Sequence, residues 1–279
     1  MQIHPTASVH PSAQLPDEIE IGPHAVIDAG VTIGSGCTVN AHAIVTGETI
    51  IGTGNEIGYG AVIGAPPQDL TFKPDTRSRV IIGNRNIFRE YVTIHRGNKD
   101  ETDTAIGDQN FFMVGVHLAH NVRVGNHAIF ANNVLLGGHV TVGDRAFFGG
   151  ASAFHQFARV GRLAMIQGMM IGNRDTPPFC IGHGYSRIAG LNVVGLRRAG
   201  FSAETRRALK ETYFILFDGK RLRKDAIREA RESASCPECH ELIDFVETPS
   251  RQGLCAPDLA RGASGGGSRT EAEDDRDSL

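Results

Sequence analysis

An aliphatic or phenylalanine side chain returns at every sixth position from Ile106 through Phe112, Leu118, Val124, Phe130, Leu136, Val142, Phe148, Phe154 and Val160 to Ile166. The same period runs earlier from Ile3 through Val9, Leu15, Ile21, Ile27, Ile33, Val39, Val45, Ile51 and Ile57 to Ile63. Matches of that length do not arise by chance. This is a hexapeptide repeat, the mark of a parallel β-helix, in which three hexapeptides make one triangular coil and positions about 18 residues apart stack on neighbouring coils. Glycine, 34 of 279 residues, fits such a coil, because its corners call for backbone with positive φ.

The frame breaks between Gly64 and Val80 and resumes, shifted, at Ile82, Phe88 and Ile94. A loop stiffened by Pro66, Pro67 and Pro74 is extruded there, and long ordered loops of this kind are usually functional or part of an interface. A second, polar loop runs from His95 to Ala105. The repeat ends near Gly172, and Thr176-Pro177-Pro178-Phe179 acts as a breaker. Beyond it the period becomes helical: Ser202 is an N-cap before Ala208, Leu209, Tyr213, Leu216 and Phe217. Leu222, Ile227 and Ala230 follow, then Leu242, Ile243, Phe245 and Val246 after Pro237. The expected fold class is mainly β, a parallel β-helix of hexapeptide repeats over residues 1–190 with a C-terminal α-helical domain over 191–254. Residues 255–279, rich in Gly, Ser and acidic groups, are expected to be disordered.

A net charge of −3 gives no global reason to expect a nucleic-acid or membrane partner. Ile3 opens the repeat two residues after Met1, without a basic leader or long apolar run, so a cytoplasmic protein is expected. Five cysteines form no disulfide framework. Cys236-Pro237-Glu238-Cys239-His240 looks like half a zinc knuckle without its second pair, and Gly34-Ser35-Gly36 is coil punctuation with no helix behind it. Basic residues outnumber acidic ones between Arg197 and Arg231, including Arg197, Arg198, Arg206, Arg207, Lys210, Lys220, Arg221, Arg223 and Lys224. Such a cluster is either a solvated helix face or a dock for an acidic protein.

Chemistry is concentrated in the central coils. At an 18-residue rise His120, Gly138 and Gln156 form one column, His139 and His155 flank it, and His117 precedes His120 on the same face. Isolated surface or intersubunit histidines are the ordinary reading of one such residue. A zinc site of carbonic-anhydrase type is a second, although Asn121, Asn133 and Gln156 are poor companions for it. Acyl transfer is the third: a neutral imidazole takes a proton from a sugar hydroxyl, and the Gly137-Gly138 backbone offers N–H groups to an oxyanion. A noncatalytic scaffold is the rival from outside enzymes.

The third reading is strengthened by a resemblance. Val116-His117-Leu118-Ala119-His120, Leu136-Gly137-Gly138-His139-Val140, Phe154-His155-Gln156-Phe157, Ile94-His95-Arg96-Gly97, Pro67-Gln68-Asp69-Leu70 and Gly195-Leu196-Arg197-Arg198-Ala199-Gly200-Phe201 closely resemble the UDP-N-acetylglucosamine O-acyltransferase family. The match runs from about Ile3 to Leu254. It implies a left-handed β-helix, a homotrimer with sites between subunits, and no cofactor or metal. The implied reaction moves an (R)-3-hydroxyacyl chain from acyl carrier protein to the 3-hydroxyl of UDP-N-acetylglucosamine, the first step of lipid A biosynthesis. A related N-acyltransferase, or a diamino-sugar acceptor, is the near alternative. By the resemblance His120 is the general base and Gly138 the oxyanion donor. His117, His139, His155 and Gln156 position the substrates, Gln68 and Asp69 hold the glucosamine end, and Asn192 and Arg198 lie on the nucleotide side. Gly168 matches the end stop of the acyl groove, and having no side chain it implies room for a relatively long chain. The sequence departs from the family pattern at Asn121, where an acidic residue is common, and at Thr71, Val194 and Ala199.

Overall fold

The computed structural model describes residues 1–258. Short parallel strands, most of them two residues long, build three sheets that form the faces of a prism. One face stacks His117–Leu118 on Leu135–Leu136 and Ala153–Phe154; a second stacks Phe111–Phe112 on Ile129–Phe130 and Phe147–Phe148; the third stacks Arg123–Val124 on Thr141–Val142. Each pairing joins residues 18 apart, as the repeat requires. Backbone hydrogen bonds run along the axis, and the hexad residues from Ile21 to Ile166 are buried inside. On the second face Phe88, Phe112, Phe130 and Phe148 stack at ring separations of 4.9, 4.7 and 4.8 Å. That matches the spacing of hydrogen-bonded strands, so a phenylalanine column is commensurate with the coil. Buried Asn55, Asn86 and Asn110 form an internal ladder, each amide bonding to the next coil.

The loops fall at the breaks in the frame. Ile82 pairs with Ile51, 31 positions earlier, and with Ile106, 24 later. The coils on either side stay in register while thirteen and six extra residues are extruded. Two expectations change. The coil does not stop at Gly172, since Thr176 bridges Val160 and Cys180–His183 lies parallel on Met165–Ile166. Ile166 pairs with Gly182, a spacing of 16, which hides this last coil from a six-residue frame. The glycine argument also needs correcting: among the described residues 17 non-glycine positions have positive φ against 12 glycines. Many glycines are needed for close approach instead; at Gly149 a Cβ would lie 2.4 Å from the Gly168 nitrogen of the next coil.

Arg187–Leu191 then reverses antiparallel on Cys180–His183, and four helices follow: α1 (Val193–Arg198), α2 (Ala203–Phe217), α3 (Arg223–Ser233) and α4 (Pro237–Glu247). Ser202 caps α2 by accepting from the Thr205 N–H, and Pro237 stands in the first turn of α4, where its missing N–H costs nothing. The α-helical unit is tied to the coil by two arginines. Arg159 pairs with Asp175, whose side chain has no exposure, and lies over Phe245; Arg162 grips Glu241 through two nitrogens. The disorder expected from residue 255 does not hold for the first residues of that stretch. Cys255 is buried, and Ala256–Pro257 pairs with Arg187–Ile188; the remainder of that tail, 259–279, lies outside the described residues. Among the described residues no helix is long and apolar enough to cross a membrane.

Candidate active site

His117 points outward from a two-residue strand whose next residue, Leu118, is buried. Its Nδ1 lies 2.8 Å from the Thr93 hydroxyl one coil below, and burial lowers its pKa to about 4. His95, also held down by burial, packs edge-on against it at 5.1 Å and bonds through Nδ1 to the Pro66 carbonyl at the start of the first loop. A buried imidazole, His95, and a half-buried one, His117, thus sit side by side with lowered pKa values, and His95 anchors the loop.

His120 stands at the corner that follows. Its Nδ1 is 2.9 Å from Asn121 Oδ1, and the same oxygen accepts the Asn98 N–H at 3.1 Å. A backbone N–H can only donate, so the acceptor end of the Asn121 amide faces the ring. In its neutral form His120 therefore carries its proton on Nδ1 and keeps the Nε2 lone pair free. Asn121 is itself fixed: its N–H donates to Thr104 Oγ1, which donates to the His95 carbonyl. The amide orients the ring without supplying a charge.

Gly138 lies one coil on, under the imidazole. A Cβ there would sit 2.5 Å from His120 Cε1 and 2.7 Å from Nε2. Only glycine lets backbone approach the ring so closely, and the Gly138 N–H donates to no acceptor among the described residues. His139 packs edge-on to His120 at 5.2 Å and stacks on Phe157 at 4.7 Å, its pKa lowered by burial. His155 and Gln156 are exposed on the next coil. Gln252 Nε2, from the returning C-terminal segment, bonds to the Gln156 carbonyl and approaches His155 Nδ1.

The first loop folds towards this corner. Asp69 accepts from the backbone and hydroxyl of Thr71 and from Asn98 Nδ2, and these bonds lower its pKa to about 2. Thr71, a departure from the resembling family, is a local partner of Asp69. Gln68 is exposed beside it. Asn98 joins the two halves of the site, with its side chain on Asp69 and its N–H on Asn121. Spacing alone did not point to Asn98, Thr93, Thr104 or Gln252, because each reaches the corner from a loop or another coil.

Three residues stand apart. Gly168 follows the strand Met165–Ile166 and so occupies a different corner from His120, at the other edge of the face that bears His117. A Cβ there would meet the Gly150 oxygen at 3.3 Å, so the position tolerates a side chain after a small shift. Asn192 lies against the third corner: its Nδ2 donates to the Leu163 carbonyl, and its Oδ1 caps α1 by accepting the Gly195 N–H. Arg198 is exposed at the end of α1, and Val194 is exposed on the same helix. Among the described residues no group of three or more His, Cys, Asp or Glu is placed to hold a metal ion.

The chain is similar to several known proteins. The acyl-[acyl-carrier-protein]–UDP-N-acetylglucosamine O-acyltransferase of Synechocystis is 43% identical over 192 residues, 68% of this chain and 69% of that protein. Its counterpart in Burkholderia mallei is 41% identical over 198 residues, covering 68% and 75%. The solved UDP-N-acetylglucosamine acyltransferase of Francisella novicida superposes with a TM-score of 0.87 at 34% identity, covering 93% and 95% of the two chains. That of Moraxella catarrhalis gives 0.88 at 37%, covering 91% and 100%. The family described as UDP N-acetylglucosamine O-acyltransferase, domain 2, matches residues 175–255, the stretch from the last coil to the returning strand. The fold is accordingly a left-handed β-helix with C-terminal helices, and the chain belongs to the UDP-N-acetylglucosamine O-acyltransferase family.

Proposed function

We infer that this protein transfers an (R)-3-hydroxyacyl chain from acyl carrier protein to the 3-hydroxyl of UDP-N-acetylglucosamine, the opening step of lipid A biosynthesis. The observation that carries the mechanism is the orientation of His120, whose Nδ1 is tied to Asn121 Oδ1 while its ring, Nε2 included, packs against the side-chain-free face of Gly138. Neutral His120 takes the proton of the sugar hydroxyl as its oxygen attacks the thioester carbonyl. The Gly138 N–H receives the developing oxyanion. Collapse expels the carrier thiolate, which recovers the proton from His120.

Asp69 and Gln68 hold the glucosamine end, while His117, His139, His155 and Gln156 line the approach. On the nucleotide side exposed Arg198 supplies charge, and Asn192 acts by fixing α1, since both ends of its amide are already bonded. Gly168 bounds the acyl groove. The functional assembly is a homotrimer, because the three corners of one chain carry different parts of the site. Of the basic residues on the helical unit, Arg221 is neutralised by Asp218 and Glu229, Arg206 holds the Phe201 carbonyl, and Arg223 holds that of Val246. Arg197, Arg198, Arg207, Lys210, Lys220 and Lys224 form no ion pair among the described residues. These are the charges left to attract an acidic carrier protein.

The test is to incubate the protein with 3-hydroxyacyl carrier proteins and UDP-N-acetylglucosamine and to identify products by mass. His120→Ala should lose about 10²–10⁴-fold in kcat or more with the oligomer intact. Near-normal turnover in that variant would remove His120 as the base.

A further inference from the structure

Away from the histidine corner, the start of α4 holds a pair of thiols that the acyl transfer does not use. Cys236 is the N-cap residue, extended at φ −148°, and Cys239 is three residues on in the first turn. With Pro237 fixing the chain between them, the turn folds both side chains to one point, and the two Sγ atoms lie 3.2 Å apart. Cys239 is fully buried, whereas Cys236 is partly exposed and lines an open cleft of 890 Å³ with Arg159, His240 and Phe245. One sulfur is therefore accessible and the other lies within reach behind it, the arrangement an attacking and a resolving thiol require. The other cysteines, Cys37, Cys180 and Cys255, are all buried, and Cys255 bonds through sulfur to Thr176 and the Arg174 carbonyl. A zinc site would need further ligands, and among the described residues none converge here.

We propose that Cys236 and Cys239 are a thiol–disulfide exchange site that takes a small-molecule disulfide and closes reversibly into an intrahelical disulfide. In the first step the Cys236 thiolate attacks one sulfur of the small disulfide, forming a mixed disulfide and releasing one thiolate. Cys239 loses its proton and attacks the Cys236 sulfur, closing the bond and releasing the second thiolate. The two protons end on the two small thiols; the cysteine pair is oxidised by two electrons and the small disulfide reduced by two. Burial and the neighbouring thiol push Cys236 up to about 11, so closure is slow at neutral pH and quickens by about tenfold per pH unit as the thiolate fraction grows. The closed ring would lie one turn before Glu241, which holds Arg162 of the coil, and so would staple the helix that ties the two parts of the chain together.

The experiment exposes the native full-length protein to oxidised glutathione at mildly alkaline pH and follows it by intact mass and peptide mapping. The expected result is the loss of two hydrogens, located on the peptide that contains both cysteines and reversed by dithiothreitol, with Cys37, Cys180 and Cys255 unmodified. Cys239→Ser should instead stop at a stable single glutathione adduct on Cys236, and Cys236→Ser should take up none at this helix. A persistent glutathione adduct on wild-type Cys236 without ring closure would overturn the proposal. So would a pair that reacts only after denaturation, or one blocked by bound zinc that a chelator removes.

Discussion

At the residue scale the corner depends on how single atoms are committed. Asn121 orients His120 through a neutral amide oxygen. Asn121→Asp should keep the hydrogen bond and add a nearby negative charge, which favours the protonated ring. Since only the neutral ring accepts a proton, the acid limb of the kcat–pH profile should move to higher pH. An unmoved limb would show that position 121 does not face the titrating base. His117 makes a separate, stability-based prediction. Its folded pKa, about 4, lies below the unfolded value, so the unfolded chain binds the extra proton as pH falls through the window between them. Stability is complete above the unfolded pKa of about 6.5 and falls by about 3 kcal/mol as pH drops towards 4. Denaturant unfolding at several pH values should show this loss, and His117→Gln should flatten it. The histidines were legible in the sequence because an 18-residue rise aligns them. Asn98 was not, because a six-residue insertion places it and no spacing rule reaches across an insertion.

At the scale of elements, the coil was readable wherever its period held and lost where it changed. The Phe column and the prism faces follow from the hexads alone. The last coil, Thr176 to His183, escaped because two residues are missing from it, and α1 escaped because six residues are too short to show a helical period. The junction between coil and helices was equally hidden, since it joins residues about eighty or more apart. Arg159 holds this junction through Asp175, which is fully buried and also accepts the Arg159 N–H, and through the carbonyls of Phe245 and Thr248. Removing the guanidinium leaves a buried carboxylate without its counter-charge. Arg159→Ala should therefore destabilise the protein by about 3 kcal/mol, read as a lower urea midpoint. Glu241→Gln, on a half-exposed pair with Arg162, should change stability by less than about 1 kcal/mol. Equal losses in both variants would mean that burial of Asp175 does not set the strength of the junction.

At the scale of the whole molecule, the prism has three corners and each carries a different part of the proposed site. His120, Gly138 and Gln156 share one corner, Gly168 lies on a second, and Asn192 with α1 rests on the third through Leu163. No bending of a stacked coil brings its own corners together, because every strand is hydrogen-bonded above and below. The proposed cyclic homotrimer would solve this by setting one chain's histidine corner against the α1 corner of the next, so that each site would draw on two subunits. This can be tested by mixing two impaired chains. His120→Ala and Arg198→Ala are each expected to be weak alone, the first in chemistry and the second at low nucleotide-sugar concentration. In randomly mixed trimers a site works when the chain supplying His120 is the Arg198 variant and its neighbour is the His120 variant. For equal amounts that holds at about one site in four, so co-expressed mixtures should recover about a quarter of wild-type turnover. Were each site built within one chain, every site would keep one defect, and mixing would restore nothing above the average of the two variants.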